Sequence, residues 1–89
     1  MKEFIYAALA SEAFKKYDIV IRDMAESEER VSLSKICAKR EKYANMIVNE
    51  VGTKDAARED ALEFARRIIR VIDMTLLKNA VWVGDMNEA

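Results

Sequence analysis

Residues 53–83 read TKDAAREDALEFARRIIRVIDMTLLKNAVWV, and neither Gly nor Pro interrupts this run. At 100° per residue, the apolar side chains gather on one face of an α-helix and the charged ones on the opposite face. The apolar face holds Ala57, Ala61, Phe64, Ala65, Ile68, Ile69, Ile72, Leu76, Ala80 and Val83. The charged face holds Glu59, Glu63, Arg66, Arg67 and Arg70. The pattern therefore predicts one long amphipathic helix over residues 54–83.

The last part of this predicted helix is apolar around most of its circumference. Leu77, Val81 and Trp82 fall beside or opposite the apolar stripe, where charged residues stand earlier in the run. A helix this long extends about two turns beyond its shorter neighbours. Because an exposed apolar end of this kind commonly meets another copy of the same chain, we expect these three residues to anchor a homo-oligomer, most simply a dimer.

The preceding sequence predicts two shorter amphipathic helices, over residues 3–25 and 28–51. Ser27 is a natural N-cap for the second helix, Gly52 is suited to end it, and Thr53 is a natural N-cap for the third. Both connections are short, so successive helices should run antiparallel. We expect an all-α, up-down-up bundle of three long helices, forming one domain over residues 1–89 with a frayed tail at 84–89, completed by dimerisation.

Composition argues against several classes of function. Fifteen basic residues against sixteen acidic ones leave the chain almost neutral, which disfavours nucleic acid and anionic membranes as partners. No run of about 20 apolar residues suggests a membrane span. Because the chain lacks His, a His-based metal site or a His general base is impossible, and we expect no metal, no cofactor and no enzymatic activity.

The single cysteine, Cys37, bears on both location and reactivity. One thiol cannot form an internal disulfide, so a reducing cytoplasm is the expected compartment. Its position on the apolar stripe of the second helix predicts an inert, buried thiol.

One residue breaks the apolar stripe of the second helix. Arg40 lies one turn from Ile36 and one turn from Tyr43 and Ala44. A buried guanidinium without a partner would cost several kcal/mol, so either a carboxylate pairs with it or the side chain reaches to water. Arg40, with Tyr43 beside it, is therefore a candidate for a buried ion pair or for a ligand site that binds an anion.

The first two predicted helices also carry polar and aromatic residues at a spacing that is found in a known protein family. Glu12 precedes Tyr17 in the first helix, and the second contains Arg40-Glu41-Lys42-Tyr43-Ala44. Residues 3–51 thereby resemble the helical hairpin of rubrerythrin and other ferritin-like proteins, whose second helix carries Glu-x-x-His-Ala. Arg40 stands where that family has a ligand Glu, and Tyr43 where it has a His. The resemblance implies a ferritin-like bundle that lacks the di-metal site and is completed by a second subunit.

These observations favour a small non-catalytic bundle that acts as a structural or protein-interaction module through homo-oligomerisation. The alternative is a protein that binds an anion or nucleic acid through Arg40 or through the stripe formed by Arg66, Arg67 and Arg70. Carboxylates dilute that stripe in the arrangement typical of solvated helices, so the interaction module is the preferred interpretation.

Overall fold

The computed structural model describes residues 2–27, 30–53, 57–78 and 81–83. Its elements are α1 (Lys2–Ala10), α2 (Glu12–Ser27), β1 (Arg30–Ser32), α3 (Leu33–Val51), α4 (Arg58–Leu76) and β2 (Val81–Val83). The predicted all-α class is confirmed, since helices make up most of these residues. The expected three long helices are corrected to four helices and a short pair of strands within this part of the chain. The predicted tail at 84–89 lies outside the described residues.

The first predicted helix is divided at Ser11, a polar residue that is buried. The Ser11 hydroxyl donates to the Ala8 carbonyl at 2.6 Å and accepts from the Phe14 N–H at 3.1 Å. It therefore caps the start of α2 while closing the end of α1. The Glu50 carboxylate of α3 adds to this cap by accepting the N–H groups of Glu12 at 2.8 Å and Ala13 at 3.0 Å.

The next two helix starts also differ from those predicted. Ser27 is the last residue of α2 and does not cap α3, whose N-cap is Ser32, accepting from the Lys35 N–H at 3.4 Å. The N-cap of α4 is Ala57, not Thr53. The expected end at Gly52 is correct: its φ of +87° suits glycine, and its N–H donates to the Val48 carbonyl at 2.8 Å.

The third predicted helix ends early, at Leu76 and not at Val83. Residues 81–83 form β2, which pairs in parallel with β1 so that Val31 lies opposite Trp82. The segment Val-Trp-Val is rich in β-branched and aromatic residues, which favour a strand where a backbone partner exists. The sequence pattern alone could not show that β1, 51 residues earlier in the register Arg30 to Val81, would supply that partner.

The core lies where α2, α3 and α4 meet, with α1 packed across all three. Its largest apolar members are Tyr17, Ile21, Ile36, Ile47, Ile69 and Leu77. Tyr6 of α1 is 67% exposed, because the break at Ser11 means that α1 does not continue the apolar face of α2. Cys37, expected to be buried, is also exposed. Within the described residues, no helix is both long and apolar enough to cross a membrane.

Candidate functional site

Three helices each deliver one polar side chain to the same point in the core. The Tyr17 hydroxyl of α2 donates to Asp73 Oδ1, and Arg40 Nε of α3 donates to Asp73 Oδ2 of α4. Tyr17 and Asp73 are fully buried, and the Arg40 side chain is 14% exposed. Both oxygens of one buried carboxylate are thus occupied, one by a phenol and one by a guanidinium. We call Tyr17, Arg40 and Asp73 the central cluster.

Helical spacing explains why these polar residues point inward. Asp73 follows Ile69 by one turn, Tyr17 precedes Ile21 by one turn, and Arg40 lies between Ile36 and Ala44. Those apolar neighbours are all buried. Each polar side chain is therefore carried into the core by the apolar stripe of its own helix.

Burial and hydrogen bonding act on the ionisation of all three groups. Burial raises the pKa of the Asp73 carboxyl, whereas hydrogen bonds from Tyr17 and Arg40 favour the carboxylate and oppose that rise. Burial also raises the pKa of the Tyr17 hydroxyl strongly, and the hydrogen bond to Asp73 adds to the effect. For Arg40, burial disfavours the cation, but the hydrogen bond and charge of Asp73 prevail and its pKa is raised. The phenol therefore stays a donor and the guanidinium stays charged at neutral pH.

Tyr43, the second residue predicted at this site, lies at the edge of the central cluster. Its ring centre is 5.2 Å from that of Tyr17, and the rings are tilted by 60°, a geometry typical of favourable aromatic pairs. The Lys42 ammonium lies 5.7 Å from the Tyr43 ring centre. The structure thus brings both predicted residues, Arg40 and Tyr43, against Tyr17.

The residues predicted to anchor an oligomer do not form an overhanging helical end. Leu77 is buried within its own chain, and its N–H bonds to the Asp73 carbonyl at 2.9 Å, where it ends α4. Val81 and Trp82 belong to β2, and their side chains lie outside what the structure describes. The expectation of an exposed helical anchor is therefore wrong for Leu77, because α4 ends at Leu76 and Leu77 is buried.

The predicted stripe of arginines on α4 is partly neutralised within the chain. Arg66 binds the Glu41 carboxylate of α3 through two hydrogen bonds, of 2.9 and 2.8 Å. Arg67 Nε lies 3.5 Å from Glu63 Oε1. These pairs compete with any external anion for the same guanidinium groups.

Sequence reasoning missed Asp73, the residue on which the central cluster depends. A signal was present, because Asp73 continues the series Ala61, Ala65 and Ile69 at four-residue spacing and so must face the core. An acidic residue on that stripe is the natural partner for the basic residue on the stripe of α3. Pairing Arg40, the charged residue on the apolar stripe of α3, with Asp73, the charged residue on that of α4, would have predicted the ion pair.

The chemistry available to the central cluster is limited, because its buried polar atoms already have hydrogen-bond partners. In the part of the chain that the structure describes, every buried side-chain nitrogen and oxygen has a hydrogen-bond partner. Each Asp73 oxygen already accepts one hydrogen bond, and the Asp73 side chain is fully buried. Over the same residues, no group of three Cys, Asp or Glu side chains is placed to hold a metal ion. The arrangement is that of a structural tie between helices.

The fold and site define the chain as a small helical bundle with a buried Tyr-Asp-Arg cluster. No family model, curated protein or solved structure matches it. The resemblance to ferritin-like proteins therefore stays a prediction.

Proposed function

We propose that this chain is a non-catalytic helical module that acts by associating with copies of itself, in a structural or protein-interaction role. The observation that supports this most is the exposure of large apolar side chains on the outside of the folded chain. They are Tyr6, Leu9, Ile19, Val71 and Met74. Their burial against a second chain would remove apolar surface from water, which is the main favourable term in association.

The hydrogen bonding within the core supports the same proposal. The central cluster joins α2, α3 and α4 and uses its polar atoms on one another, so it holds the scaffold together. An interaction module needs a stable scaffold with its binding groups on the outside, and this division between inside and outside fits that requirement.

The alternative, binding of an anion or nucleic acid, draws less support. Arg40 is occupied by Asp73, and Arg66 and Arg67 are paired with Glu41 and Glu63. An incoming phosphate would meet a carboxylate beside each of these guanidinium groups. The exposed Cys37 thiol fits a reducing compartment, and we place the module in the cytoplasm.

The test is the mass of the purified chain in solution across a range of concentrations. Sedimentation velocity from about 1 to about 100 µM should show the mean mass rising from that of one chain towards that of two. The chain remaining monomeric over the whole range would contradict the proposal. Addition of a reductant controls for disulfide-linked dimers through Cys37.

A further inference from the structure

One face of α4 carries exposed side chains at every position over more than four turns. We call these residues the outer stripe; those within the helix recur every three or four residues and so share one side of it. The outer stripe consists of Asp60, Glu63, Arg67, Val71, Met74 and Lys78. All six are exposed, with Lys78 in the turn directly after the helix.

The outer stripe has an apolar section, Val71 and Met74, between Arg67 and Lys78. Val71 is 65% exposed and Met74 is 60% exposed. The half-buried Phe64 lies about two turns before Val71 on the same side of the helix, and the Arg67 guanidinium lies 5.7 Å from the Phe64 ring centre. Apolar side chains surrounded by charged ones are the usual arrangement of a contact surface.

The charges of the outer stripe are ordered along the helix. Asp60 and Glu63 stand at its beginning, Arg67 near its middle and Lys78 at its end, so the stripe as a whole is neutral. Two such stripes side by side in parallel would set like charges against each other. In antiparallel orientation the acidic beginning of one meets the basic end of the other, and the two helix dipoles oppose favourably as well.

The spacing also selects a register. With a two-fold axis at the level of Ile69, Arg67 of one helix lies level with Val71 of the other, and Asp60 faces the end of the other helix, where Lys78 follows in the turn. Glu63 is engaged in its own helix, 3.5 Å from both Arg66 and Arg67. The pair Asp60 and Lys78 therefore sets the register, and it occurs twice in a symmetric contact.

We propose that the outer stripe of α4 binds the outer stripe of a second copy of this chain, antiparallel and across a two-fold axis. This inference rests on the proposed function and identifies the surface by which it is carried out. The same order of charges disfavours an anionic membrane or a uniformly acidic partner, because either would meet the carboxylates of Asp60 and Glu63. The helix offers about 28 Å of contact along its axis, so the association is modest in strength.

The decisive experiment uses two charge reversals, Asp60→Lys and Lys78→Glu. Each variant alone sets like charges against each other twice, and its dimer dissociation constant should rise about tenfold or more. In an equimolar mixture, the residue at position 60 of each variant faces an opposite charge at position 78 of the other. The mixture should therefore associate nearly as tightly as the unmodified chain, as measured by sedimentation velocity with one variant fluorescently labelled.

A matched control is Glu59→Lys, which makes the same charge change in the same turn but outside the outer stripe, and should leave the dissociation constant unchanged. Circular dichroism confirms that each variant is folded. If the mixture associates no better than its components, or if Glu59→Lys weakens association as much as Asp60→Lys, the outer stripe is not the interface. That result would leave self-association intact, whereas an unmodified chain that stays monomeric would overturn the proposed function itself.

Discussion

Two arginine-carboxylate pairs join α3 to α4 from adjacent positions in the sequence, and they lie in opposite environments. Arg40 meets Asp73 in the core, where the two side chains are 14% and 0% exposed. Glu41 meets Arg66 on the surface, where the exposed fractions are 52% and 35%. The surface pair has two well-formed hydrogen bonds, yet water can replace each partner at little cost. The chemistry of the two pairs is alike, so their difference in importance is set by solvent access.

The strongest way to sharpen this comparison is to remove the buried cation. Arg40→Ala leaves the buried Asp73 carboxylate without its counter-charge, so we expect the free energy of unfolding to fall by about 3 to 5 kcal/mol. Urea unfolding followed by circular dichroism measures the change.

The matched control for that prediction removes both charges. Asp73→Asn combined with Arg40→Met keeps an oxygen to accept the Tyr17 hydroxyl but leaves no buried ion, so it should recover most of the lost stability. A double variant as unstable as Arg40→Ala would show that the loss comes from packing and not from the unpaired charge.

A smaller effect is expected for the neutral member of the central cluster. Tyr17→Phe removes one hydrogen bond to Asp73 and leaves Arg40 in place, which should lower the free energy of unfolding by about 1 to 3 kcal/mol. The pKa of the Tyr17 hydroxyl is raised in the folded chain, so its stabilising contribution is complete below the unfolded value, about 10, and is lost as the pH rises above it. The stability difference between the two proteins should therefore shrink above about pH 10.

Alkaline absorbance titration checks the same prediction independently. The difference between the unmodified chain and Tyr17→Phe isolates the phenolate of Tyr17, which should appear only as the chain unfolds. Ionisation of that tyrosine in the folded chain near pH 10 would contradict the assigned burial and hydrogen bond.

The smallest effect belongs to the surface pair. Arg66→Ala should lower the free energy of unfolding far less than Arg40→Ala or Tyr17→Phe does. Added salt should remove the small loss that remains. Because the hydrogen bond from Arg66 lowers the pKa of the Glu41 carboxyl, its contribution is present above the ordinary value, about 4.3, and is lost as the pH falls. Urea unfolding at two salt concentrations provides the measurement. A loss as large as that of Arg40→Ala would remove the distinction between interior and surface.

The comparison also shows which part of the site could be predicted from the sequence. Arg40 was identified because a cation on an apolar stripe is conspicuous, and its stripe position was read correctly. Asp73 was missed because it lies where charges on α4 become sparse, and so it does not stand out as a single charge on an apolar stripe. Helical periodicity locates each side chain on its own helix. Only the packing of α3 against α4 shows that Arg40 and Asp73 meet.

The ends of the elements were harder to predict than the helices themselves, for a related reason. Ser11 followed by Glu12 is an N-cap signal, yet a helix through it kept an uninterrupted apolar pattern. At the other end, residues 77–83 are apolar enough to extend a helix. Whether they do so depends on a distant backbone partner, which local propensity does not encode.

The parallel pairing of β1 with β2 constrains the order in which the chain can fold. Closing a loop of this length costs about 3 to 4 kcal/mol in chain entropy, and three residues per strand offer few bonds in return. The ladder cannot form first, because nothing holds the two segments together until α3 and α4 have docked. Residues 81–83 therefore join a scaffold that is already assembled, and during synthesis they also emerge after α3 and α4.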